Sequence, residues 1–166
     1  MAAQGIGLLY CDDALQDRVH PPSGWLHGPV DWEHLDDYEL TFHDDARRFR
    51  TGTFNSVGIA ALHASLGLHL EAGPAWCEER VLDLSTTLAD ELAARGLSRY
   101  GTDARAHASG IVTVEPEAPE ALFEHLAEHD ITVAVRNRKL RVAPTYYNDH
   151  SDLDTFLAAI DAFEGA

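Results

Sequence analysis

With 166 residues, 45% of them apolar, the chain can form one domain, or a small domain plus part of another, with a true core. Its 28 acidic residues against 12 basic ones give a net charge of −16, which repels phosphate backbones and argues against a nucleic-acid partner. No apolar run reaches the length of a membrane span, and residues 1–20 do not read as a leader, so neither a membrane partner nor secretion is expected and the expected location is the cytoplasm.

Gly5 to Tyr10 (GIGLLY) is a short apolar run that predicts a buried strand. Residues 20–46 are broken by Pro21, Pro22, Gly24, Gly28 and Pro29 and predict a long irregular stretch. Trp25, Trp32 and Tyr38 serve it as packing anchors or as the wall of a site. From Asn55 the chain predicts a helix that is apolar around most of its circumference and ends at Gly73. Pro74 opens a second helix, whose stripe of Cys77, Val81, Leu84, Leu88 and Leu92 runs to a stop at Gly96.

Strands and helices then alternate. Ile111–Val114 is a strand, Pro119–His129 a short helix, and Ile131–Arg136 and Leu140–Ala143 are strands joined by Asn137, Arg138 and Lys139. Ser151 with Asp154 three residues on reads as a capping box for a last helix, whose stripe is Leu153, Phe156, Leu157, Ile160 and Phe163. The expected fold class is α+β: helices on a small, mainly antiparallel sheet.

Several short motifs invite chemistry. His125 and His129 with Glu128 match the HxxEH arrangement of inverted zincins, but a third ligand is not evident and a helix C-terminus favours histidine in any case. A metal site is therefore not expected. His43-Asp44-Asp45 reads as a solvated acidic face. Neither Cys11 nor Cys77 belongs to a CxxC pair, and Cys77 falls on a helix stripe as a buried thiol. Lys139 is the only lysine among the 12 cations, and acid excess with so little lysine favours a salt-rich milieu over an ordinary acidic protein.

Two segments are more specific. In Arg48 to Asn55 (RFRTGTFN), the Gly52-Thr53 pair precedes a helix and offers free N–H groups and a hydroxyl to a phosphate, while Gly52 as a plain turn and Thr53 or Asn55 as a plain cap remain open. In Leu140 to Asn148, Arg141 alternates with Leu140 and Val142 and faces away from them. An arginine so placed can clamp a carboxylate, or can be an ordinary surface cation. Arg136 and Arg138 look less well placed.

Taken together, GIGLLY (5–10), Gly24-Trp25, RFRTGTFN (48–55) with GIAAL (58–62), and Leu140-Arg141 through Tyr147-Asn148 to Asp154 resemble, in order, the C-terminal half of class V aminotransferases. That family includes cysteine desulfurases, selenocysteine lyase and isopenicillin N epimerase. The resemblance implies a pyridoxal 5'-phosphate cofactor, an amino-acid substrate and a homodimer. It implies that Gly52 and Thr53 hold the cofactor phosphate and Arg141 the substrate α-carboxylate. It divides the chain into a remnant of the large cofactor domain (1–46), the GT motif with a connecting helix (47–72), and the small C-terminal domain (73–166).

The departures from the family pattern matter as well. The Schiff-base lysine belongs just before Gly5, where this sequence has none, and Lys139 falls in the hairpin turn. No catalytic residue is therefore assigned. The chain is expected to be inactive by itself, either as a truncated product or as one piece of a split enzyme, with a second copy or a missing N-terminal half as its partner. Arg50 and Phe54 replace the usual acid and proline of the GT segment. Residues 135–141 lack the cysteine of one desulfurase group, which favours a transaminase, lyase or epimerase relative. The alternative is a stand-alone α+β binding or interaction domain without catalysis.

Overall fold

The computed structural model describes residues 4–16, 18–22, 24–36, 40–102 and 107–163. They form two compact units, which divide between Leu68 and His69. Tyr38 lies outside the described residues.

The second unit has a core of its own. Helix α3 (Pro74–Ala94) starts on a proline at its first turn, after Gly73 at φ 92°, a backbone setting that glycine tolerates best. Its stripe of Cys77, Leu84, Leu88 and Leu92 is buried, with Val81 half-buried at the edge. Strand β1 (Val112–Val114), helix α4 (Pro119–Glu128), strands β2 (Ala134–Arg136) and β3 (Lys139–Val142), and helix α5 (His150–Asp161) follow. The sheet is antiparallel with order β1-β3-β2. Val112, Val114 and Leu140 turn one face into a cluster with Leu84, Leu88 and Leu92 of α3, Leu122 and Leu126 of α4, and Leu153, Phe156, Leu157 and Ile160 of α5. The fold is α+β, as the sequence predicts.

Two local details differ from expectation. The β2–β3 turn has two residues, not three: Asn137 and Arg138 both take positive φ (49° and 59°), the pattern of a tight type I′ hairpin. Helix α5 is capped by Asp149 rather than Ser151. The Asp149 carboxylate accepts from the backbone N–H of Ser151 and Asp152, and Asp152 returns a bond to the Asp149 N–H. The Asp149 carboxylate reaches two amides and completes the box two residues before Ser151.

The first unit is built otherwise. It holds α1 (Asp13–Gln16), a 3-10 turn at Ala46–Phe49 and most of α2 (Ser56–Ala72). Gly5 to Tyr10 is not a strand: the chain there is irregular, with Leu8, Leu9 and Tyr10 exposed. A strand needs a neighbouring edge for its N–H and C=O groups, and none pairs with it among the described residues. Only Gly58 of α2 is buried, and Val57, Ile59, Leu66, Leu68 and Leu70 are exposed.

Candidate functional site

The Gly52-Thr53 segment sits in the first unit, held by local chemistry on both sides. Upstream, Asp45 caps the 3-10 turn, accepting from the backbone N–H of Arg47 at 2.9 Å and from its guanidinium. The hydrogen bond from Arg47 lowers the Asp45 pKa. Arg48 lies over the Phe42 ring at 5.7 Å, and Arg50 over Phe54 at 4.1 Å. Downstream, the Asn55 carboxamide oxygen accepts from the Gly58 N–H at 2.9 Å, so Asn55 is the residue that caps α2. Thr51 and Thr53 are exposed on either side of Gly52, ahead of the helix N-terminus.

The Gly24-Trp25 loop folds onto this segment. Gly24 lies flush against the Thr51 carbonyl, where a Cβ would collide. A Cβ on Gly52 would come within 3.1 Å of the Trp25 indole nitrogen. Trp25 packs edge-on against Trp32 with ring centroids 5.7 Å apart. Two motifs 28 positions apart by number (24 and 52) thus meet: close approach to the Thr51 backbone requires glycine at position 24, and Gly52 packs closely under the Trp25 indole. The backbone N–H of half-buried Gly52 and the two exposed flanking hydroxyls are donors of the kind a phosphate monoester takes, and Arg48 and Arg50 supply positive charge to the segment. The residues present fit such a group.

Arg141 sits in the second unit, on the central strand. Leu140 is fully buried and Arg141 exposed, so the guanidinium stands on the sheet face turned away from the core. Its cross-strand partners are Thr113 and Ala134. On the same face the Lys139 ammonium lies 2.7 Å from the Glu115 carboxylate and 4.4 Å from the Tyr100 ring centroid. The hydrogen bond to Glu115 raises the Lys139 pKa and keeps the amine protonated.

The sequence reading passed over Arg136. With a two-residue turn, Arg136 pairs with Lys139 and therefore shares the open face with Arg141. Counting the turn residues correctly would have revealed it, because a shift of one residue reverses the face.

Asn148 organises the turn that follows Arg141. Its carboxamide accepts from the Thr145 N–H at 3.0 Å and donates to Asp152 at 3.0 Å, while its carbonyl accepts from Arg80 at 3.1 Å. Tyr146 packs among His69, Trp76 and Tyr147. Elsewhere, His125 contacts the Ala159 carbonyl at 3.0 Å through Nε2, and His129 contacts the His125 carbonyl at 2.8 Å through Nδ1. No group of three or more His, Cys, Asp or Glu side chains placed to hold a metal ion occurs among the described residues. Nor, among them, is any helix long and apolar enough to cross a membrane.

The family model for class V aminotransferases matches residues 1–151. Among solved structures, the chain is similar to the apo cysteine desulfurase of Thermococcus onnurineus NA1, with a TM-score of 0.80 and 24% identity over 96% of this chain and 43% of that one. It is also similar to the cysteine desulfurase CsdA of Escherichia coli in its S-sulfonic acid form, with a TM-score of 0.76 and 22% identity over 96% of this chain and 42% of that one. A third is the cystine C-S lyase C-DES in complex with its product cysteine persulfide, at 0.74 and 20% over 93% and 41%. At these identities the likeness is one of fold. The chain spans less than half the length of each of these relatives. No curated protein matches it significantly.

Proposed function

The chain belongs to the class V aminotransferase family, and from that premise we propose that it is the C-terminal portion of a pyridoxal-phosphate-dependent enzyme acting on an amino acid. Residues 1–46 are read as a remnant of the cofactor domain, 47–72 as the GT motif with its connecting helix, and 73–166 as the small domain. The N–H of Gly52 and the hydroxyl of Thr53 donate to the cofactor phosphate, and the Arg141 guanidinium grips the substrate α-carboxylate with two parallel hydrogen bonds. When bound, the cofactor supplies an electron sink for bonds broken at the α-carbon. Which bond breaks is a choice among transaminase, lyase and epimerase chemistry, the absence of cysteine from residues 135–141 weighing against a desulfurase.

The observation that carries this reading is the contact between Gly24-Trp25 and Thr51-Gly52, which holds the segment in place and leaves Thr53 open ahead of the helix. Inactivity of the chain by itself rests on Lys139. It is the only lysine in the sequence, and its paired ammonium makes a poor nucleophile for a carbonyl carbon. Assembly as a homodimer, or with an N-terminal half, in a cytoplasm salty enough to screen a charge of −16, completes the proposal. The alternative, a stand-alone binding domain, draws support from the self-contained core of the second unit.

An absorption titration of the full chain with pyridoxal phosphate in high salt, followed by borohydride, tests these readings. The expected result is weak non-covalent binding, which Thr53→Ala reduces further, with no reducible adduct. Trapping of the cofactor on Lys139 would overturn the inactivity, and no binding at all would favour the stand-alone domain.

A further inference from the structure

The open face of the sheet carries three cations in an acidic protein, and they are not equally engaged. Lys139 is neutralised by Glu115 at 2.7 Å. Arg136 and Arg141 face no carboxylate among the described residues; the one hydrogen bond Arg136 makes runs from Nη1 to its neighbour's carbonyl, Val135, at 2.7 Å. With 28 acidic residues in the chain, ion-pair partners are plentiful elsewhere: Arg95 takes two carboxylates, Asp161 and Glu91. Two exposed guanidiniums left free side by side are therefore placed for an anion from outside.

The register fixes their spacing. Arg141 pairs with Ala134 and Arg136 with Lys139, so the two arginines are diagonal neighbours on one face, with backbone positions roughly 7–8 Å apart. Each side chain reaches several ångströms further. One carboxylate cannot use both forks well, but two acidic groups joined by a short aliphatic chain can.

We propose that Arg136 is a specificity-determining residue, and that this face takes an amino acid whose side chain ends in a second acidic group, such as a dicarboxylic amino acid. The inference rests on the reading of Arg141 as the α-carboxylate clamp. Arg141 holds the carboxylate common to all amino acids, and Arg136 holds the group that distinguishes the substrate.

Two probes of equal chain length separate these roles: glutarate, with two carboxylates, and pentanoate, with one. The full chain, with its arginine Nε–H groups labelled with nitrogen-15, is titrated with each at fixed salt. Pentanoate should shift the Arg141 resonance alone. Glutarate should shift Arg141 and Arg136 together and bind about threefold to fivefold tighter, the margin of one exposed ion pair.

Arg136→Gln should erase that margin without changing pentanoate affinity, and Arg136→Lys should retain part of it. Equal affinity of the two probes, or an equal loss of both in Arg136→Gln, overturns the proposal while leaving Arg141 in place. Pentanoate binding that survives Arg141→Gln overturns the underlying reading instead.

Discussion

The two units have similar proportions of apolar residues and use them in opposite ways. In residues 69–163 the leucines of α3, α4 and α5 close over one face of the sheet, and eight of the largest apolar side chains there (Leu84, Leu88, Leu92, Leu122, Leu126, Leu140, Ile160 and Val112) are fully buried. Among the described residues of 4–68, the ring of Pro21 is the only aliphatic or aromatic side chain that is buried. Leu8 is 74% exposed and Val57 80%. Since apolar burial is the main favourable term in folding, the second unit carries its own stability and the first has very little. What the first unit does possess is polar and steric precision at the Gly24–Thr51 contact.

Truncations on either side of that divide sharpen it most. Leu88→Ala removes a fully packed side chain from the core and should cost about 2–5 kcal/mol in chemical denaturation followed by far-ultraviolet circular dichroism. Leu68→Ala, on the exposed face of α2, should stay within about 0.5 kcal/mol of the parent. Equal losses would mean that the first unit is covered in solution and the contrast is false. A smaller effect is expected from Gly24→Ala, whose added methyl meets the Thr51 carbonyl. The local strain of about 1–3 kcal/mol should dissolve the Trp25–Trp32 pair, read as loss of its near-ultraviolet signal, while the far-ultraviolet midpoint moves little.

The same divide separates what was legible in the sequence from what was not. Helical stripes such as Leu84-Leu88-Leu92 and Leu153-Phe156-Leu157-Ile160 encode burial inside the chain that carries them, and they fold as they read. Gly5 to Tyr10 has an equally apolar pattern, but a strand is a property of a pair, and its partner is not among the described residues. Arg141 was legible because alternation within one strand sets its face. Arg136 was not, because its face depends on the turn, and a count of three residues instead of two turned it the wrong way. The Gly24–Thr51 contact leaves no local signal, because close approach between distant segments has no period to detect.

The smallest expected effect concerns pH, and it tests whether carboxylates matter only where a core stands behind them. In the second unit, the hydrogen bond from the Ser151 hydroxyl, helped by the Asp152 and Ser151 amides, lowers the Asp149 pKa below its ordinary value of 3.8. The hydrogen bond from Arg95 does the same for Asp161. A depressed folded pKa contributes stability that is fully present above the unfolded value and is lost as pH falls through the folded one. The unfolding midpoint should therefore drop as the pH is taken below about 3.8, with the unfolded state binding protons first. Asp149→Ala should lower the midpoint modestly at neutral pH, through loss of the α5 cap, and should flatten that acid slope. Asp45 also has a lowered pKa, through its hydrogen bond from Arg47, but it caps a single 3-10 turn in the unit without a core. Asp45→Ala should leave the acid slope of unfolding unchanged, and a slope that responds to Asp45 as strongly as to Asp149 would show that both units melt as one.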